Sequence, residues 1–237
     1  MRILSRLAAA ALIFLAAGVC LAQASSAPGS EGLVSVKSRN VDKVWLLPGA
    51  DFRTYGKVLI LRSEVAFQKN WLRDNNRSTG SRIPRATETD ALKVVEATRA
   101  GFDAIWAEAF KATGYEIVTA PGEGVLQLTP RVVNLYINAP TVPTAGISRA
   151  YTVEAGEATL QLEVRDSRTG TLLGRVFDRR TTNKSPQAHI TDAVTNRQEF
   201  GQLFATWALI AAKGLQELKA ASPLPEEMKP GQKVPSK

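Results

Sequence analysis

Between residues 157 and 165 polar and apolar side chains alternate without a break. Ala158, Leu160, Leu162 and Val164 are interleaved with Glu157, Thr159, Gln161, Glu163 and Arg165. Successive side chains of a strand point to opposite faces, so this period of two predicts a half-buried β-strand. The stretch "DSRTG" follows, where Asp166 can bond back to the loop amides and Gly170 accepts a left-handed backbone. A second arm, "TLLGRVFDRR", completes a hairpin over 156–180. Setting Asp166 opposite Thr171 puts Val164 against Leu173 and Leu160 against Phe177. Gln161, Glu163 and Asp178 then lie on the wet face, while Arg175 falls opposite Leu162 on the apolar one. A bulge near Gly174 would relieve that conflict.

In two longer segments the apolar period changes to three and four. Ala91, Val95, Thr98, Phe102, Ile105 and Ala109, widened by Trp106 and Phe110, predict a helix over 88–113. Thr87 with Asp90 reads as its capping box, and Gly114 as its left-handed stop. Phe200, Phe204, Trp207, Ala211, Leu215 and Leu218 predict a second helix over about 197–220, started by Asn196 with Glu199. Gly201 and Gly214 cost that helix about 1 kcal/mol each relative to alanine, which points to close packing against a neighbour. At this spacing the aromatics read as core, so Phe102, Trp106, Phe204 and Trp207 are expected to be buried under one face of a sheet.

Further strands are expected at 56–67, 115–120 and 124–138, separated by the turn chemistry of "APGEG" and followed by "APTVPTAG". The order β-α-β-β-β-β-α predicts an α+β fold: a largely antiparallel sheet of about five strands with two amphipathic helices on one face. That domain occupies 41–220. A Ser-, Gly- and Pro-containing stretch at 25–40 reads as a flexible lead-in, and 221–237, with four prolines, as a disordered tail.

The N-terminus has its own logic. Arg2 and Arg6 precede an apolar run from Leu7 to Leu21, and "AQA" at 22–24 supplies the small residues of a cleavage site between Ala24 and Ser25. Residues 1–24 read as a signal peptide that delivers the chain to the periplasm, within reach of the outer membrane. A rival reading lipidates Cys20, but Val19 is a poor residue to precede a lipid-attachment cysteine. Cys20 is the only cysteine, so a chain cleaved after Ala24 has no disulfide and no thiol. No transmembrane span is expected in the mature chain, and its oligomeric state is left open.

The formal net charge of +8 implies anionic surroundings. The cations are spread along the chain, and an exported protein rarely meets nucleic acid; the expected partner is an envelope protein or an anionic envelope surface. Arg179, Arg180 and Lys184 in "FDRRTTNK" form the candidate binding surface, because guanidinium forks suit carboxylates and phosphates. Candidate catalysis is thin. His189 is the only histidine, "RDNNRSTG" lacks calcium-loop spacing, and "GEG" at 122–124 lacks the helix start that would hold an anion. "GISRA" at 146–150 is one glycine short of a nucleophile elbow. Ser148, then Asp166 or Asp178, then His189 fall in hydrolase order, so a small secreted serine hydrolase is the alternative. The leading reading has no catalytic residue, no metal and no cofactor: a non-catalytic binding or assembly module of the bacterial cell envelope.

Three stretches, "PGADFRTYGKVLI", "GEATLQLEVRDSRTGTLLGRVFDRR" and "EFGQLFATWALIAAKGL", resemble a family of bacterial envelope proteins called domain of unknown function 3313. The resemblance runs from about Asp42 to about Leu218. Its most specific part is "PGADF" before the first strand together with the "RDSRTG" hairpin. Many members look like lipoproteins, from which this chain departs by its poor lipid-attachment site. The resemblance implies export and a small α+β domain, and it transfers no catalytic residue. Mass spectrometry of the protein from its native host should find an N-terminus at Ser25; an acylated Cys20 would replace soluble export by anchoring, and an intact Met1 would exclude both.

Overall fold

A computed structural model describes residues 32–78, 85–137, 150–152, 156–182, 189–191 and 193–233. In chain order its elements are β1 (Val34–Lys37), β2 (Lys43–Leu46), β3 (Lys57–Ile60), β4 (Glu64–Phe67), α1 (Trp71–Ser78), α2 (Glu88–Ala112), β5 (Glu116–Ile117), β6 (Val125–Ile137), β7 (Ala150–Thr152), β8 (Gly156–Asp166), β9 (Leu172–Thr181), β10 (His189–Thr191), α3 (Ala193–Ala221) and β11 (Gln232–Lys233).

The hairpin of β8 and β9 forms, with a register one residue away from the simplest one. Arg165 pairs with Leu172 and Val164 with Gly174, so Leu173 is the extra residue of a bulge. Side chains alternate, so a shift of one residue sends every later β9 side chain to the other face. Glu163 therefore faces Arg175, Leu162 faces Val176 and Leu160 faces Asp178. The bulge expected at Gly174 is present and frees Arg175 from the apolar face. It also moves Asp178 off the wet face, where the simpler register had put it, into the interior at 2% exposure. The turn itself is as its residues predict. Asp166 Oδ1 accepts from the Arg168 and Thr169 amides at 2.9 and 2.7 Å, and Gly170 has a φ of +72°.

Among the described residues the main sheet has nine strands, against the five expected, and three helices replace two. Its order is β11-β1-β2-β9-β8-β6-β3-β5, with β4 also beside β6. The longest ladders, β6–β8 and β8–β9, are antiparallel, and parallel pairings sit toward the two ends. The run 56–67 splits into β3 and β4, which follow one another along the 13-residue β6. Near Asn134, which has a φ of +51°, the β6–β8 register shifts, and Leu135 and Ile137 return to the core. A second, two-stranded sheet joins β7 to β10.

Both ends of the chain correct the sequence expectation. The lead-in supplies β1, which pairs antiparallel with β2, and β2 pairs in turn with β9. The tail is packed through residue 233: Leu224 is 2% exposed, and β11 adds to β1 in parallel. Strands of two to four residues leave too little periodicity to read, and their neighbours supply the pairing. The segment 73–80, read only as a failed calcium loop, lies largely in α1, where Trp71 stacks on Phe67 with centroids 3.8 Å apart.

The two long helices cover one face as their stripes predict. Thr87 caps α2: its side chain accepts from the Asp90 amide, and the Asp90 carboxylate accepts from the Thr87 amide. Gly114, with a φ of +89°, ends it. Helix α3 starts at Ala193, so Asn196 lies inside the helix and does not cap it. Phe102 and Phe204 meet edge to face at 5.2 Å, with Trp106 and Trp207 also buried. Gly201 and Gly214 depart from expectation. Among the described residues nothing lies within 4 Å of a Cβ built on either. Replacing Phe102 or Phe204 by alanine should cost about 3–5 kcal/mol in urea unfolding; a loss below about 1 kcal/mol at both would mean that this is not the core.

Candidate binding cleft

A helix with its side chains is about 10 Å across and strands lie about 4.8 Å apart, so two helices cover about four strands. The sheet path here is eight strands wide. Helix α2 lies against β3, β4 and β5, and α3 packs beside α2. Helix α3 reaches β8 and β9 through Phe200, which crowds Gly156, and Trp207, which reaches Asp178. Beyond α3 no helix among the described residues lies on the inner face of the sheet. The result is an open cleft of about 1070 Å³ between α3 and strands β1, β2 and β9.

Its floor is aliphatic. Val44 and Val176, paired across β2 and β9, are half-buried there, with Leu162 behind them. The α3 wall carries Ile210, Gly214 and Leu209, the last 45% exposed. The rim is cationic: Lys37, Arg39, Lys213 and Lys233 outnumber Glu217. None of these four cations forms an ion pair among the described residues.

One end of the cleft is held by a buried carboxylate. Asp178 Oδ2 accepts from Trp207 Nε1 at 2.8 Å and from Arg180 Nε at 2.6 Å, and its Oδ1 accepts from the Asp42 amide at 2.9 Å. Arg180 Nη2 also donates to the Asn40 carbonyl at 2.6 Å, and the Asp42 carboxylate accepts from the Arg179 amide at 3.0 Å. A charge taken out of water is tolerated only with such donors. The cluster therefore ties α3, β9 and the β1–β2 turn to one another. At the other end residues 222–233 act as a strap. Ser222 Oγ accepts from the Phe52 amide at 2.9 Å and donates to the Leu218 carbonyl at 2.7 Å, and the Leu224 amide donates to the Ala50 carbonyl at 2.9 Å.

The residues singled out from sequence are dispersed. Arg180 is committed to Asp178 and Asn40. Arg179, 61% exposed, places Nη2 on both Glu157 oxygens at 2.9 and 2.6 Å on the outer face. Lys184, Ser148, Cys20, Ala24 and Ser25 lie outside the described residues. His189 pairs through its backbone with Thr152, and its side chain is likewise outside them. Neither acid of the hydrolase order is unengaged. Asp178 holds its three donors. Asp166 is taken by its own turn and by the Tyr55 hydroxyl at 2.8 Å. Burial works against the Asp166 charge, but the Thr169 amide and the Tyr55 hydroxyl outweigh it and hold the carboxyl below its ordinary range. Burial, with Asp166 beside it, pushes the Tyr55 hydroxyl up.

The outer face of the hairpin is the paired, wet face that alternation predicts, apart from Asp178, which turns inward, and Thr159, which is buried at 1% exposure. Glu163 sits between Arg165 and Arg175 at 2.9 and 2.8 Å. Burial raises its pKa, and the two guanidinium groups more than reverse that shift. Among the described residues no three His, Cys, Asp or Glu side chains are grouped to hold a metal ion, and no helix is long and apolar enough to cross a membrane. Sequence reading missed the cleft. The nearest signal was two apolar alternations, Val34 with Val36 inside the lead-in and Val44 with Leu46 just after it.

The described residues thus form a mixed α/β domain with an open apolar cleft. The chain belongs to the family described as "Protein of unknown function (DUF3313)", whose model matches residues 23–209. No curated protein matches the sequence. Among solved structures it is similar to the PelC dodecamer from Paraburkholderia phytofirmans, at 13% identity and a TM-score of 0.33, covering 72% of this chain and 98% of that one. It is also similar to a DUF330 protein from Xanthomonas campestris, at 13% identity and a TM-score of 0.36, covering 76% and 96%.

Arg180 and Arg179 are adjacent and should behave differently. Arg180→Ala strips a charged donor from a buried carboxylate and should cost about 1.5–3 kcal/mol in chemical denaturation. Arg179→Ala removes an exposed, solvent-screened pair and should leave the denaturation midpoint nearly unchanged. Equal, small losses would mean that the Asp178 cluster does not hold the fold.

Proposed function

We propose that this chain is a non-catalytic binding module of the bacterial cell envelope that takes an apolar group into the cleft between α3 and strands β1, β2 and β9. The observation that carries this reading is the aliphatic floor of Val44 and Val176 facing an exposed Leu209 across about 1070 Å³. A stable fold ordinarily covers such a surface, and one left open and rimmed by charge marks a recognition site. Placement in the periplasm rests on the N-terminus: Arg2, Arg6, the apolar run and the cleavage residues Ala24 and Ser25. The expected partner, an envelope protein or an anionic envelope surface, would meet Lys37, Arg39, Lys213 and Lys233 at the rim, because Arg180 is already engaged.

Gly214 offers a clean test. A Cβ there meets nothing within 4 Å among the described residues, so a side chain can be added without disturbing the core. Gly214→Ala should stabilise the unliganded protein by up to about 1 kcal/mol, the difference in helix propensity. Gly214→Phe should fill the cleft and weaken binding of a neutral naphthylamine fluorophore at least tenfold while the far-ultraviolet circular dichroism is unchanged. Equal binding by the wild type and Gly214→Phe would place the apolar site elsewhere.

A further inference from the structure

We infer that the occupant of the cleft is an anionic diacyl phospholipid, with its acyl chains between α3 and the sheet and its phosphate among Lys37, Arg39, Lys213 and Lys233. This deepens the reading above and rests on it. Size is the first argument. A cleft of about 1070 Å³ lies at the top of the range of ordinary ligand pockets, so its size admits long alkyl chains.

The chemistry of the floor is the second argument. Strand β2 is paired on both sides, by β1 and β9, and β9 is paired by β2 and β8. Their backbone donors and acceptors are used within the sheet, so the floor presents no open strand edge to an extended peptide. What it does present is aliphatic side chains. Opposite them Gly214 leaves the α3 backbone bare over the cleft. A glycine there lowers helix stability without easing any contact within the protein, as nothing lies within 4 Å of its missing Cβ among the described residues. A flexible alkyl chain lying along the helix would use that space.

Charge is the third argument. Lys37 and Lys233 stand opposite each other in the β1–β11 register, and both line the cleft. Like charges directly across neighbouring strands are unfavourable, and an anion between them converts that repulsion into attraction. Lys213, from the α3 side, and Arg39, from the β1–β2 turn, add to the same collar, with Glu217 the opposing charge. A phosphate diester meets this set better than an uncharged or cationic head.

The test titrates the full mature chain, stripped of bound lipid, with three probes carrying the same fluorescent acyl chain: phosphatidylglycerol, diacylglycerol and a cationic diacyl lipid. Phosphatidylglycerol should bind at least tenfold more tightly than the other two, and the preference should shrink as salt rises. Lys37→Glu combined with Lys213→Glu, both at exposed positions, should abolish the preference, and Gly214→Phe should abolish binding of all three. Equal affinity for the three lipids, still blocked by Gly214→Phe, would overturn the anionic-lipid inference and leave the cleft reading standing. Binding of the naphthylamine fluorophore and of an acidic amphipathic peptide, with no lipid bound, would overturn it in favour of a protein partner. Phosphatidylglycerol binding that survives Gly214→Phe would reduce it to surface adsorption. If neither lipid nor fluorophore binds, both readings fall.

Discussion

A carboxylate at 2% exposure has no water to solvate it, and the position of Asp178 therefore dictates what surrounds it. Its donors come from three separate parts of the chain: the indole of Trp207 on α3, the guanidinium of Arg180 on β9, and the Asp42 amide at the start of the β2 hairpin. Satisfying all three at once sets where α3 crosses the sheet and where the β1–β2 pair joins it. Asp178 reaches the interior only because Leu173 bulges out of the β8–β9 ladder. One extra residue in a strand thus decides the face of an acid, the seat of a helix and the position of two edge strands.

The cleft follows from that arrangement by simple geometry. Helices α2 and α3 pack on each other through Phe102 and Phe204, so they cannot spread across the sheet without exposing those rings. Two adjacent helices shelter about four strands, and the sheet continues past them through β9, β2, β1 and β11. The strap at 222–233 closes one end by burying Leu224 and adding β11, while the Asp178 cluster closes the other. Between the two closures the apolar wall of α3 faces an apolar floor with no described element inserted. Gly214, which leaves the helix wall bare, is on this reading part of the site.

How much of this the sequence discloses depends on the length of each periodic run. Helices α2 and α3 and strands β6, β8 and β9 are long enough for their periods to be read, and the Thr87–Asp90 box and the Gly114 stop carry local chemistry that no tertiary contact overrides. Strands β1, β2 and β11, at two to four residues, are too short to show a period: the β1 and β11 segments read as linker and tail, and β2 was not read as a strand. The face of Asp178 was undecidable from alternation alone. Arg175 on the apolar side demanded a bulge, but the consequence for Asp178, three residues further on, emerges only when the shifted register is followed along β9. Ion pairing misled in the opposite direction. Arg179 and Arg180 read as free cations because their partners, Glu157 and Asp178, are brought to them by the sheet. The site was the least legible part, because the strands that line it show only two alternating apolar positions each, Val34 with Val36 and Val44 with Leu46.

If the space between α3 and strands β1, β2 and β9 holds acyl chains, a crystal structure of the protein with a phosphatidylglycerol carrying brominated acyl chains will show them there, since the anomalous signal of bromine marks where the chains lie. Peaks should lie within van der Waals reach of Val44, Val176 and Gly214. Peaks confined to other surfaces, with the cleft empty or closed by a movement of α3, would contradict it.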